Sequence, residues 1–196
     1  MAQKIPLDPA SFSVHPLTPE RWDDFETLFG PNGAYSGCWC MWWRLSRAEF
    51  SRLSAADRRL AMKALVDTGA RPGLLAYVDG APAGWCSIGP RQGFASLERS
   101  TTLKRVDDQP VWSIVCFFVA KSFRGRGLQT RMLAAALDYA RGQGARIVEA
   151  YPVEAGQKLP PVSSFMGLAG TFRAAGFVEV ARPSPRRPIL RFTLSP

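Results

Sequence analysis

Two arginines and two glycines, in the order Phe123-Arg124-Gly125-Arg126-Gly127-Leu128-Gln129, are the residues whose types and spacing point most directly to chemistry. They come after an apolar run, residues 111–119, and open an Ala/Leu-rich segment of helical period that begins at Leu128. Glycines at such a strand-to-helix turn let several backbone N–H groups converge on one point, and the positive end of the helix dipole adds to them. Arg124 and Arg126 bring charge-assisted donors suited to phosphate oxygens. The expected guest is an anion, and the pyrophosphate of a nucleotide-like cofactor suits it. A P-loop is excluded, because no Lys follows Gly127 at the required spacing. The dinucleotide fingerprint is also missed. Thr130 stands where its third glycine belongs, and the unit starts past mid-chain, although Glu149 lies where a ribose-binding acid would.

The strand, the Phe123–Leu128 turn and the Ala/Leu-rich helix together resemble the acyl-CoA motif of the GCN5-related N-acetyltransferases (GNAT). A second marker, Thr171-Phe172-Arg173-Ala174-Ala175-Gly176-Phe177, is similar to that family's later helix and its aromatic–x–x–x–Gly–Phe ending. The two markers span roughly residues 111–180, and the upstream segments fit more loosely. The resemblance implies that Arg124, Gly125, Arg126, Gly127, Leu128 and Gln129 hold the pyrophosphate of acetyl-CoA. It implies further that the pantetheine arm runs beside Phe117, Phe118 and Val119, on a strand splayed from its neighbour, with Ser164 and Phe172 against the same molecule. A backbone N–H of that strand would polarise the thioester carbonyl. Transfer to a primary amine by direct attack, without an acyl-enzyme, then needs only one proton removed and one supplied.

Three positions depart from the family pattern: Ser122, Gln129 and Phe172. The first two are tolerable in a loop that works through its backbone. The third matters more, because the family commonly has a Tyr there as general acid, and Phe172 has no proton to give. Tyr151 and Ser164 are the candidate donors, and unaided departure of the thiolate is the alternative. Glu149 shares strand parity with Tyr151 and is the candidate base; a surface carboxylate or a water relay would leave the same trace. Cys116, among apolar neighbours and with no His nearby in sequence, is not expected to be a nucleophile. The acceptor is expected against the first half of the chain, where Trp39, Met41, Trp42 and Trp43 crowd one segment. Trp39, Trp42 and Arg44 are the candidate acceptor contacts, with Arg91 a further arginine for an acidic group; core packing is the competing role for the tryptophans.

Composition bounds these readings. The chain has 196 residues, 46% hydrophobic and 21% charged, which suits one globular domain, with an acceptor side over 12–110 and a cofactor side over 111–196. No stretch approaches the roughly twenty apolar residues of a membrane span, and the first residues lack a signal-peptide core, so a cytoplasmic protein is expected. The net charge of +9 suits a polyphosphate ligand. Nucleic-acid binding is disfavoured: the one dense basic run, residues 182–187, is interrupted by prolines and reads as a solvated loop. Cys38, Cys40, Cys86 and Cys116 miss the common zinc spacing and His15 is the only histidine, so no metal and no disulfide are expected.

The elements that must position these residues are set by pattern. Residues 12–16 read as a strand, and Thr18 with Pro19 opens a helix ending near Phe29. Residues 48–67 read as a helix in two pieces, the second capped by Asp57. Residues 73–78 and 83–88 form a hairpin around Asp79-Gly80; residues 90–109 are irregular with a short helical stretch. Residues 111–119, apolar on both faces, should be a central covered strand. Residues 146–151 make another strand, 152–161 a loop, 165–175 a helix, and 178–181 with 189–194 the closing strands. The order implies an α/β fold: a mixed, mostly antiparallel sheet with helices on both faces, as the resemblance does. The expected activity is acetyl transfer from acetyl-CoA to a primary amine of a small molecule. The alternatives are a non-catalytic acyl-CoA sensor and a protein or peptide amine acetyltransferase; the family also implies that a homodimer can form.

Overall fold

The computed structural model describes Asp8 and residues 11–155 and 164–195. Seven strands form one sheet: β1 (Phe12–Pro16), β2 (Leu74–Val78), β3 (Ala81–Pro90), β4 (Trp112–Val119), β5 (Ile147–Ala150), β6 (Val178–Ser184) and β7 (Arg187–Thr193). They lie in the order β1-β2-β3-β4-β5-β7-β6. Only β4 and β5 run parallel, so the sheet is mixed and mostly antiparallel, as the pattern implies. The parallel pair needs a crossover, which α5 (Leu128–Gly142) supplies.

Both faces are covered. On one, Leu128, Met132, Leu133, Ala136, Leu137 and Ala140 of α5, with α6 (Ala169–Ala174), pack on Cys86, Ile88, Ile114 and Phe117. On the other, α1 (Trp22–Phe29) and α3 (Ala55–Asp67) cover Leu75, Tyr77 and Trp85. A third cluster lies beyond β4 under the short α4 (Ala95–Glu98) and joins Phe94, Leu97, Val115, Tyr151 and Ile189. Buried residues therefore occur at successive positions of β4, which accounts for its lack of alternation. No helix among the described residues is long and apolar enough to cross a membrane.

Local departures have simple causes. The second piece of the 48–67 segment is capped by Ser54, not Asp57. The Ser54 hydroxyl accepts from the Asp57 amide at 3.1 Å while the Asp57 carboxylate accepts from the Ser54 amide at 3.0 Å, a reciprocal box. Ser46 and Glu49 do the same for α2 (Arg47–Arg52). At the first helix, Thr18 makes no side-chain cap, and a 3-10 turn over Pro19–Arg21 precedes α1. Helix α6 is shorter than its sequence pattern. The basic run 182–187 is not a loop: it spans the β6–β7 hairpin, where the Arg182 guanidinium donates to Glu154 and Glu179. The 152–161 loop is described only to residue 155.

Candidate functional site

A cleft of about 800 Å³ opens where the sheet parts. Strand β4 pairs with β5 only from Trp112 to Ile114, and its register against β3 slips between Ser87 and Ile88. Such a bulge bends a strand and re-aims the residues past it. Beyond it, Phe117, Phe118 and Val119 line the cleft, in agreement with the splay that the sequence resemblance implies. One expected free group is not free: the Phe117 amide donates to the Phe165 carbonyl at 2.6 Å. Any carbonyl polarised here must find a donor other than that N–H.

The turn after β4 forms the cleft's second wall. Gly125 and Gly127 have φ of 72° and 77°, left-handed values that cost an L-residue roughly 1–2 kcal/mol. Gly127 is the N-cap of α5 and offers no side chain to satisfy the first turn. The amides of Gly125, Gly127, Leu128, Gln129 and Thr130 donate to no backbone carbonyl among the described residues, and all five residues line the cleft. A Cβ on Gly127 would meet nothing within 4 Å, so the space before the helix is open. Backbone donors so arranged can receive an anion. Arg124 lines it, with Nε held by the Val119 carbonyl at 2.9 Å. Arg126, by contrast, lies outside the lining, its guanidinium 5.9 Å from the Phe123 ring. Ser164 reaches the cleft.

Phe172 does not reach it. The ring is fully buried, 6.1 Å from Phe117 and 5.1 Å from Phe177, and a Cβ on Gly167 (φ +91°) would come within 2.6 Å of it. The expectation of a cofactor contact here is corrected: Phe172 is core, pinned by Gly167.

Glu149 and Tyr151 do come together, but not in the cleft. Both are 0% exposed. Register places Glu149 between Ser113 of β4 and Arg191 of β7. Its carboxylate accepts from Arg91 Nη1 at 2.9 Å, Tyr151 Oη at 2.6 Å and Arg191 Nε at 2.8 Å. Arg91 spends its remaining donors on Tyr151, Glu98 and the Leu97 and Leu103 carbonyls. Arg191 continues to Asp107, whose carboxyl its hydrogen bonds hold down at about 2. Burial, then the neighbouring Glu149 charge, pushes the Tyr151 phenol well above its usual range, and Ser113 donates to its oxygen. A carboxylate held by two guanidiniums and a phenol, and shut off from the cleft, is poorly placed to take a proton from an acceptor, and a phenol this acid-weak is a poor proton donor. The pair therefore stands in a closed structural cluster, and Arg91, 1% exposed within it, cannot meet an acceptor.

The tryptophan segment divides. Trp39 is core, stacked on Phe29 at 5.7 Å and 15°. Trp42 and Trp43 line the cleft. Arg44 turns away, Nη2 bonded to the Pro72 carbonyl at 2.6 Å and the guanidinium 4.5 Å from the Phe94 ring; burial lowers it to about 10, so it stays charged. Pattern alone missed Phe29, Tyr35, Cys38, Cys40 and Phe50 as lining residues. The available signal was the glycine density of residues 30–37, since Ala34, Ser36, Trp39 and Cys40 take positive φ in this crowded loop. Cys40 accepts from Trp85 Nε1 at 3.0 Å, and bonding first to Cys116, then to Trp85 and Ser87, brings its thiol down to about 7.

Comparison with known proteins accords with this geometry. The family model described as "Acetyltransferase (GNAT) family" matches residues 38–158. No curated protein matches the chain in sequence. Among solved structures, a GNAT-family acetyltransferase from Listeria monocytogenes 4b F2365 aligns over 93% of this chain and 95% of its own, with TM-score 0.56 and 13% identity. The yncA protein of Salmonella typhimurium, solved with its cofactor acetyl-CoA, aligns over 94% and 95% with TM-score 0.53 and 14% identity. An N-acetyltransferase from Staphylococcus aureus Mu50 aligns over 93% and 97% with TM-score 0.52 and 12% identity.

Proposed function

The chain belongs to the GNAT acetyltransferase family, and on that premise we propose that it transfers an acetyl group from acetyl-CoA to a primary amine of a small molecule, in the cytoplasm. One observation carries the reading: unpaired amides at the α5 N-terminus and an aromatic wall open onto the same cleft. The four thiols are free, which suits a reducing compartment.

The amides of Gly125, Gly127, Leu128, Gln129 and Thr130, with Arg124, would hold the pyrophosphate. The apolar lining beside Phe118 and Val119 would take the pantetheine arm. Acetyl-CoA would supply an activated acyl group with a good leaving thiolate; the protein's share is to orient it, exclude water and deliver the acceptor. Phe172 offers no proton, and neither Glu149 nor Tyr151 opens onto the cleft, so acid help would have to come from a hydroxyl such as Tyr35 or Ser164, from a thiol of the lining, or from solvent.

Isothermal calorimetry and a thermal shift with acetyl-CoA, longer acyl-CoAs and NAD test the binding half. Acetyl-CoA should bind and NAD should not. Release of free thiol with a panel of amines tests the transfer half. The lack of an acid–base carboxylate in the lining also favours a second reading, an acyl-CoA sensor; binding without thiol release from any amine would select it.

A further inference from the structure

The cleft's acceptor half holds no carboxylate and no imidazole. Every Asp and Glu of the chain, and His15, belongs to the described residues, and none of them lines the cleft. Among the described residues, the titratable and charged groups facing it are Tyr35, Cys38 and Cys40 from the loop before α2, Cys116 from β4, and Arg124.

The rings of the loop side that could hold a cation instead, Trp42, Trp43 and Phe50, already have guanidiniums beside them. The Arg47 guanidinium lies 3.6 Å from the Trp42 ring centre and 5.6 Å from that of Trp43. The Arg58 guanidinium lies 3.9 Å from the Phe50 ring, and Phe50 meets Trp42 edge-on at 4.9 Å. An ammonium entering here would lose water, meet no carboxylate among the lining residues and lie near two guanidiniums already on the rings. A flat neutral ring would lose little and gain contact with Trp42, Phe29 and Phe50.

Resting on the acetyltransferase reading, we propose that the acceptor is a weakly basic aromatic amine, of the aniline or aryl-hydrazine class, that enters the cleft uncharged. Such an amine needs no base to expose its lone pair. Its nitrogen forms the new C–N bond as the C–S bond breaks, the sulfur keeps the bonding pair, and the proton shed by nitrogen passes through water to the thiolate. A lining without carboxylate or imidazole is then a match to the substrate.

The test pairs a weak and a strong base of similar shape, 4-methylaniline and benzylamine, in thiol-release kinetics. At about pH 7 the aniline should exceed benzylamine in kcat/KM by at least about tenfold, and its profile should be flat up to about pH 9 while benzylamine's rises about tenfold per pH unit. A readout independent of turnover uses calorimetry with N,N-dimethylaniline, which cannot be acetylated, and benzyltrimethylammonium, a fixed cation. The neutral ligand should bind about tenfold or more tightly, and Arg47→Gln, which uncovers one face of Trp42, should narrow that gap. Equal or tighter binding of the cation, or a preference for benzylamine at neutral pH, overturns the proposal and leaves the transferase reading standing. No acetyl-CoA binding, or no thiol release with any amine, overturns both.

Discussion

Two polar regions of this protein lie on either side of the point where β4 and β5 part, and they are built on opposite rules. In the cluster around Glu149, every strong group has a partner: two arginines, a tyrosine and a serine close on the carboxylate out of water, and Glu98 and Asp107 complete the arginines' bonds from the rim. At the turn before α5, the backbone is arranged so that donors are left over among the described residues, with glycines at φ 72° and 77° and open space at Gly127. A buried group with its hydrogen bonds complete holds structure together; a row of amides with no backbone partner among the described residues can receive a ligand. Side-chain chemistry alone would have reversed the assignment, because the reactive-looking residues sit in the closed cluster.

The largest effect should come from opening the closed cluster. Glu149→Ala leaves Arg91 and Arg191 buried without their shared counter-charge and should cost about 3–5 kcal/mol in urea unfolding. Acetyl-CoA affinity should be unchanged where the variant is folded. A Glu149→Gln variant of near-native stability that lost a hundredfold or so in kcat would erase the contrast and return the residue to the chemistry.

Filling the open turn is the complementary change. Gly127→Val should weaken acetyl-CoA binding about a hundredfold by calorimetry, since its left-handed φ suits glycine and a branched side chain enters the anion space. Its stability loss should be smaller, about 1–2 kcal/mol, from backbone strain alone. Retained affinity would show that the amides are not the cradle.

Restoring the family's phenol should not restore an acid. Phe172→Tyr places a hydroxyl in the core beside Gly167 and should cost about 1–3 kcal/mol of stability with no gain in kcat. A rate increase would mean that the ring reaches the cleft.

The smallest effect is electrostatic. Asp107 and Glu154 are each held down at about 2, the first by Arg191, the second by Arg173 and then Arg182. Between that value and the ordinary carboxylate range the unfolded chain binds more protons, so stability is present above about pH 4.5 and falls as pH drops towards 2. Both groups are partly exposed, so the loss should be modest and reduced by salt, as urea midpoints at about pH 5 and pH 2.5 would show.

Legibility tracked the range of the interactions involved. The strand–turn–helix around Gly127 was readable because each of its parts is local: an apolar run, two glycines, a helical stripe. The sheet order at the chain's end was not, since β7 inserting between β5 and β6 depends on contacts distant in sequence. The division of the tryptophans was equally hidden. Trp39 and Trp42 are three positions apart and identical in type, yet positive φ at residues 39 and 40 turns one into the core and leaves the other on the cleft.

The amino-acid order by itself determined the glycine turn before α5, the mixed sheet and the absence of a tyrosine at position 172, because glycine freedom, hydrophobic period and residue identity are properties of short segments. Only the tertiary structure decided that Glu149 is clamped between Arg91 and Arg191, that the Phe117 amide is taken by Phe165, and that guanidiniums already lie on Trp42 and Phe50. Each of those is a pairing between groups brought together by folding, and charge, burial and vacancy are properties of the pair rather than of either residue.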